Sequence, residues 1–356
     1  MLTLSYRRRA LHFNFPARTS RGALTEHVAY YLRLHDARQP DLVGWGEAAP
    51  LAGLSPDYGP DFEGAVADFC RRFNQAGHLA LPVAAAAALV PAPLPALRFA
   101  LETAALDLAG GSRHQLYAND FSQGRAGLPI NGLVWMGDAA FMRAQIRQKL
   151  AAGYACLKVK IGSLDFETEL ALLAEIRAEA NAAQLMLRVD ANGAFAPAEA
   201  PARLAALARF DLHSIEQPIA AGQWPALARV CRESPVPVAL DEELIGLTDP
   251  ARQEELLDAV RPPYLVLKPT LLGGHAATRR WIALAKARGI GWWITSALES
   301  NIGLNAVAQL TGEYDVAGFA QGLGTGQLYD NNLAAPLRIR AGMLHYDPAG
   351  TWAGVG

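Results

Sequence analysis

Two lysines stand two residues apart, Lys158 and Lys160, in the run CLKVKIG at 156–162. Side chains of an extended strand alternate with period two, so both lysines share one face with Cys156, while Leu157, Val159 and Ile161 share the other. On an edge strand this would be a solvated face. Inside a barrel it would place an amine where a proton can be taken. Further short apolar runs also end in a charge: Asp190 closes LMLRVD, Glu216 closes LHSIE, Asp241 closes VPVALD and Lys268 closes YLVLK. A single charge at a strand end usually faces a loop; five strands in succession are a different matter. Three carboxylates converging in one cup would repel one another unless a cation neutralised them. Hard oxygen ligands, few in number and leaving room for water and substrate, favour Mg²⁺ over zinc, with Mn²⁺ as a substitute. Asn192, Gln217 and Glu242 follow the carboxylates and read as supporting or rim groups.

Such convergence requires a closed ring of strands. From Leu128 onward, LPINGLV, CLKVKI, LMLRVD, LHSIE, VPVALD, YLVLK, IGWWIT and VAGFA alternate with amphipathic helical stretches such as FETELALLAEIRAEAN and HAATRRWIALAKARG. Serial βα repetition of this kind predicts a (β/α) barrel, whose active sites collect at the C-terminal ends of the strands. An open doubly wound sheet is the alternative, but no GxGxxG follows the first strand. The preceding residues mix strand-like TEHVAYYLRLH and DLVGWGEAAPL with the helical FEGAVADFCRRFNQAG, an α+β module. The Ala-rich run beginning at Leu81 is broken by Pro91, Pro93, Pro95, Arg98, Glu102 and Asp107, so it reads as a linker and then a helix over 96–109, not a membrane span.

Composition narrows the partners. The 356 residues are 51% hydrophobic and 19% charged with a formal net charge of -2, which leaves no basic surplus for a nucleic-acid backbone or an anionic membrane. Cys70, Cys156 and Cys231 are scattered without CxxC spacing, so no disulfide framework or zinc site is signalled and a reducing cytoplasm fits. The first fifteen residues lack the uninterrupted apolar segment of a secretory signal. The eight histidines show no HxH or HxxxH spacing and read as surface or core residues.

The ordered set of Lys158 and Lys160, Asp190 with Asn192, Glu216-Gln217-Pro218, Asp241-Glu242 and Lys268-Pro269 resembles the enolase superfamily, muconate-lactonizing enzyme subgroup. TSALESNIGLNAVAQL, GLGTGQLY, ARTSRG and GWGEAAPLAGLSPD extend the likeness over nearly the whole chain, toward the o-succinylbenzoate synthases of that subgroup. The resemblance implies a modified (β/α)7β TIM-type barrel at 126–319 and an N-terminal α+β capping domain at 1–125, completed by 320–356. It implies a Mg²⁺-dependent lyase of menaquinone biosynthesis that dehydrates 2-succinyl-6-hydroxy-2,4-cyclohexadiene-1-carboxylate. Lys160 is then the base, Lys158 its cationic neighbour, Lys268 the cation across the cup, and Asp190, Glu216 and Asp241 the metal ligands. Racemization of N-succinylamino acids or dipeptide epimerization on the same scaffold is the alternative; QGLGTG after the eighth strand replaces the DxD expected of dipeptide epimerases. The partner is a small-molecule carboxylate, and a homo-oligomer is compatible with this. For substrate contacts the resemblance points to Ser20 and Arg21 in a closing loop, with AGLS as a second lid segment, to Asn192, and to Ser296, Glu299 and Asn301 near a helix start. The backbone N–H groups of that helix start could hold a succinyl carboxylate or could simply be capped.

Overall fold

The computed structural model describes residues 1–19 and 22–353. Strands β1 (Leu2–Thr19), β2 (Gly22–Asp36) and β3 (Gln39–Ala48) form an antiparallel sheet, followed by helices α1 (Phe62–Ala76), α2 (Val83–Leu89) and α3 (Pro95–Ala109). Leu2, Leu4, Leu32 and Leu34 of the sheet pack against Phe62, Val66, Phe69 and Phe73 of α1 and Leu97, Ala100, Leu101 and Ala104 of α3. The VGWGEA pattern of β3 has a local cause. A Cβ at Gly44 would lie 2.1 Å from the Ala104 carbonyl oxygen, and one at Gly46 would lie 1.9 Å from that of Ala100, so the glycines let α3 lie directly on the strand. Trp45 and Glu47 consequently point to the opposite face. Part of the expected linker is helical, because Val83–Leu89 is nearly all alanine and Pro91 lies beyond its end.

The second unit alternates strand and helix: β4 (Leu128–Pro129), β5 (Gly132–Val134), α4 (Ala139–Ala151), β6 (Cys156–Lys160), α5 (Phe166–Glu179), β7 (Met186–Asp190), α6 (Ala200–Ala208), β8 (Ser214–Glu216), α7 (Trp224–Glu233) and β9 (Val238–Leu240). It continues with α8 (Pro250–Val260), β10 (Tyr264–Leu267), the short α9 (Pro269–Leu272), α10 (His275–Ala287), β11 (Gly291–Ile294) and α11 (Asn301–Thr311). Strands β5 to β11 pair in parallel in chain order. Leu157, Val159, Leu187, Val189, Ile215, Val238, Leu240, Leu265 and Leu267 belong to the core formed with the surrounding helices. That leaves the alternate residues of the same strands facing inward. The ring closes where Gln321 bridges Ile130 and Gly322 bridges Thr295. The eighth strand expected at VAGFA therefore falls just past that run and consists of isolated bridges. Glycines at 322 and 324 shorten it.

Strands β12 (Leu337–Arg340) and β13 (Met343–Tyr346) form a hairpin that pairs with β4. Just before it, Asn331 accepts from the His12 N–H at 2.9 Å and donates to the Ala10 carbonyl at 2.8 Å, touching β1. No helix among the described residues is long and apolar enough to cross a membrane.

Candidate active site

Strand register decides which charges meet. Lys160 is level with Asp190 and Asp190 with Glu216, while Glu216 is level with Ala239, two residues before Asp241. The inward-facing charges thus lie at adjacent levels on neighbouring strands. Lys158 Nζ lies 2.7 Å from Glu216 and 3.0 Å from Asp190, Lys160 Nζ lies 2.9 Å from Asp190, and Lys268 is ion-paired to Asp241. The three carboxylates are at most 2% exposed. Burial works against the ammonium of Lys158, but the Asp190, Glu216 and Asp241 charges outweigh it and raise its pKa. Lys268 is raised in the same way, chiefly by Asp241 against burial. Adjacent cations favour a neutral amine in isolation; in this cup the carboxylates decide, and Lys158 is a fixed positive charge.

Burial and the Asp190 charge push the Glu216 carboxyl up to about 8. Asp190 moves the other way: despite burial, Lys158, Lys160 and Lys268 hold it well below the ordinary carboxylate range. A further negative charge in the cup is unfavourable without more positive charge, and a divalent cation would supply it. The donor set fits a hard cation, being three buried carboxylates from adjacent strands. Among the described residues no three acidic, His or Cys side chains already form a cation cage; each of the three carboxylates is ion-paired to a lysine.

Polar residues after the strands fix these groups. Asn192 accepts from Lys160 Nζ at 2.8 Å, donates through its backbone N–H to Asp190 at 3.0 Å, and donates through its amide to Glu242 at 3.0 Å. Gln217, fully buried, accepts from the Asp241 N–H at 3.2 Å and donates to the Ile219 carbonyl at 2.9 Å. Both occupy the left-handed backbone region, with φ of 45° at Asn192 and 38° at Gln217, a conformation that costs about 1 kcal/mol for a residue with a Cβ. Their side-chain bonds hold these turns and keep the carboxylates before them in register.

The other sequence candidates separate. Ser20 and Arg21 lie outside the described residues. Ser296 lines the cavity, but Glu299 and Asn301 do not. Glu299, fully buried, accepts from the Thr270 hydroxyl, from the Ser296 hydroxyl at 2.5 Å and from the Ala297 N–H at 2.9 Å. The Asn301 amide donates to the Leu333 carbonyl. The N–H groups starting α11 are already taken: those of Ser300 and Gly303 donate to Glu47 at 2.7 Å each, that of Asn301 to Asn332 at 3.0 Å, and that of Ile302 to the Ser300 hydroxyl at 3.3 Å. The capped reading of this helix start is therefore the one observed, and these donors are not open to a succinyl carboxylate.

A cavity of about 320 Å³ opens over Lys158, Lys160, Asp190, Asn192 and Lys268. Phe15, Leu51 and Leu54 of the N-terminal unit, together with Leu133, Trp135, Phe141 and Leu298, give it an apolar flank. Leu54 belongs to the AGLS segment. Trp135 and Asn131, which share the inward face of the first barrel strand, escaped the sequence reading; their alternation with Ile130, Gly132 and Val134 was the available signal.

A family model described as enolase C-terminal domain-like matches residues 141–351. An o-succinylbenzoate synthase of Desulfotalea psychrophila is 48% identical over 96% of this chain and 98% of its own length. The chain belongs to the o-succinylbenzoate synthase family of the enolase superfamily. The solved structure of MenC from Desulfotalea psychrophila LSv54 covers 97% of this chain and 99% of its own, with a TM-score of 0.83 and 45% identity. It agrees with a capping unit on a (β/α)7β barrel. An N-succinylamino acid racemase of Amycolatopsis is 28% identical over 96% of this chain and 90% of its own length. Enzymes of the superfamily use a divalent metal.

Proposed function

We propose that this protein is an o-succinylbenzoate synthase, converting 2-succinyl-6-hydroxy-2,4-cyclohexadiene-1-carboxylate to 2-succinylbenzoate and water in menaquinone biosynthesis. The choice of this reaction within the superfamily is carried by the 48% identity over 96% of the chain, against 28% for the Amycolatopsis racemase.

The α proton of a carboxylate is very weakly acidic, so its removal needs both a placed base and stabilisation of the negative charge that builds up on the carboxylate oxygens. Lys160 is the base. Asp190 and Asn192 hold its amine, and in the reactive form the amine is neutral. It takes the α proton and returns it to the hydroxyl leaving from the same face, so the C–O bond breaks, water departs and the ring becomes aromatic. Syn elimination needs only this one lysine. Lys158, held as a cation, faces the substrate carboxylate, and Lys268 contributes positive charge from across the cup. Asp190, Glu216 and Asp241 are the ligands of a divalent cation, Mg²⁺ with Mn²⁺ as a substitute, which when bound supplies Lewis-acid stabilisation worth several kcal/mol. Residues 1–125 with 320–356 act as the cap, a division supported by the bonds of Asn331 to β1. This reading describes a cytoplasmic enzyme of a small carboxylate.

The racemase reading keeps one specific support: Lys160 and Lys268 come from different sides of the cup and are paired with different carboxylates. Direct turnover decides. With Mg²⁺ present, the protein should consume the cyclohexadiene with formation of 2-succinylbenzoate; rapid racemization of N-succinylamino acids with negligible dehydration would transfer the assignment to the isomerase.

A further inference from the structure

The cavity wall facing the carboxylate trio is formed by Asn131, Thr295, Ser296, Gly322, Gly324 and Thr325, residues of the first, seventh and eighth strands and the loops after them. None of these six residues is charged, though Lys149 lines the cavity beyond them, and most of their buried side-chain protons are already committed. Ser296 gives its hydroxyl proton to Glu299. Thr325 must then donate to Ser296 Oγ, at 2.7 Å, because Ser296 has no second proton to offer. The Thr295 hydroxyl donates to the Gly322 carbonyl at 3.0 Å. A carbonyl or carboxylate oxygen would thus meet only lone pairs at all three hydroxyls.

Asn131 differs. Its side chain is 5% exposed, its Oδ1 is buried without a hydrogen-bond partner, and its Nδ2 donates to no described residue. The unpartnered oxygen can only accept, whereas Nδ2 is a donor committed to no described residue, so among these six residues it is the side-chain donor open to an entering oxygen. By strand alternation Asn131 shares the inward face with Leu133, which is level with Lys158.

We infer that Asn131 is a specificity-determining residue whose amide N–H binds an oxygen of the substrate's acyl side chain, the group that projects away from the ring carboxylate. This rests on the dehydration reading above and adds to it the residue that distinguishes an oxygen-bearing side chain from an alkyl one.

Three ligands test it on Asn131→Ala and Asn131→Asp, with binding measured by calorimetry in the presence of Mg²⁺: 2-succinylbenzoate, 2-butanoylbenzoate, which keeps the ketone but lacks the terminal carboxylate, and 2-propylbenzoate, which lacks both. Asn131→Ala should weaken 2-succinylbenzoate about tenfold, the scale of one hydrogen bond to a charged or carbonyl oxygen, and leave 2-propylbenzoate within about twofold. A parallel loss for 2-butanoylbenzoate assigns the contact to the ketone; its retention assigns the contact to the carboxylate. Asn131→Asp, equal in size but without the donor, should lose at least as much, and the KM for the cyclohexadiene should rise more than kcat falls. Circular dichroism melts identify which variant is folded, and either suffices. Equal weakening of all three ligands, or no weakening of 2-succinylbenzoate, overturns the inference while leaving the dehydration reading intact. Absence of turnover by the unaltered protein overturns both.

Discussion

Asp241 shows how much one oxygen can decide. It is buried, ion-paired to Lys268, and held by the Gln217 amide at its backbone N–H. Asp241→Asn keeps size and shape but removes the charge, so Mg²⁺ affinity should fall at least about tenfold and turnover should be lost, with an unchanged far-ultraviolet spectrum. Calorimetric titration checks it, and unaltered affinity would remove Asp241 from the ligand set. The lysines separate by role. Lys160→Ala should slow dehydration at least about a hundredfold, the low end of a general acid–base contribution. Lys268→Ala should also impair it by removing a cation near the developing charge. In D₂O, a bifunctional enzyme would lose α-proton exchange of one N-succinylamino acid enantiomer with Lys160→Ala and of the other with Lys268→Ala. A dedicated synthase would exchange neither to any extent.

Among the elements, α11 and α10 share a device. Glu47 of β3 receives the N–H groups of Ser300 and Gly303 and the Ser300 hydroxyl at 2.5 Å, all at the start of α11. Glu102 of α3 receives the N–H groups of His275 and Ala276 at 2.6 and 3.2 Å, at the start of α10. Each is a buried carboxylate from the N-terminal unit set against the positive end of a barrel helix, where orphan N–H donors and the helix dipole both favour it. Glu47→Ala would leave these donors without their acceptor and should destabilise the protein by about 2–4 kcal/mol, read as a lower urea midpoint. Glu47→Gln, still an acceptor, should recover part of the loss. Equal stability of Glu47→Ala and the parent would show that water replaces the carboxylate at no cost.

For the molecule as a whole, acid stability depends on buried histidines as well as carboxylates. His27 of β2 is 4% exposed, and burial lowers it to about 4 against a backbone bond to Ala49. An unfolded chain protonates this ring near pH 6.5, whereas the folded chain does so only near 4, so its contribution to stability is full above 6.5 and falls as the pH drops toward 4. The slope is at most about 1.4 kcal/mol per pH unit. Glu47 and Glu102, each raised to about 7 by burial, have the opposite sign: between their ordinary value and 7 the folded state binds more protons, and stability falls as the pH rises. The difference between parent and His27→Gln urea midpoints isolates the histidine. It should narrow by up to this slope as the pH drops from 6.5 to 4.5. A constant difference would show that His27 is protonated alike in both states.

The convergence of these charges was legible along the chain, because a βα repeat turns linear order into angular order: a charge ending each successive strand must come round to the same mouth. Lys158, Lys160, Asp190, Glu216, Asp241 and Lys268 could therefore be read without coordinates, and the family likeness followed from their order. Alternation alone also separated the faces of β6. Contacts between distant segments were not legible. That Glu47 occupies the start of α11 depends on glycines at 44 and 46 letting α3 lie on β3, which turns Glu47 toward a helix 253 residues away in sequence. The same contact occupies the N–H groups of Ser300 and Gly303, while those of Asn301 go to Asn332 and Leu333. Asn131 escaped for a related reason: alternation within LPINGLV gives its face, but only closure of the barrel at Gln321 and Gly322 buries it and leaves its Oδ1 without a partner. Local periodicity fixes which face a side chain takes; only the meeting of segments remote in sequence decides whether its hydrogen bonds are already satisfied.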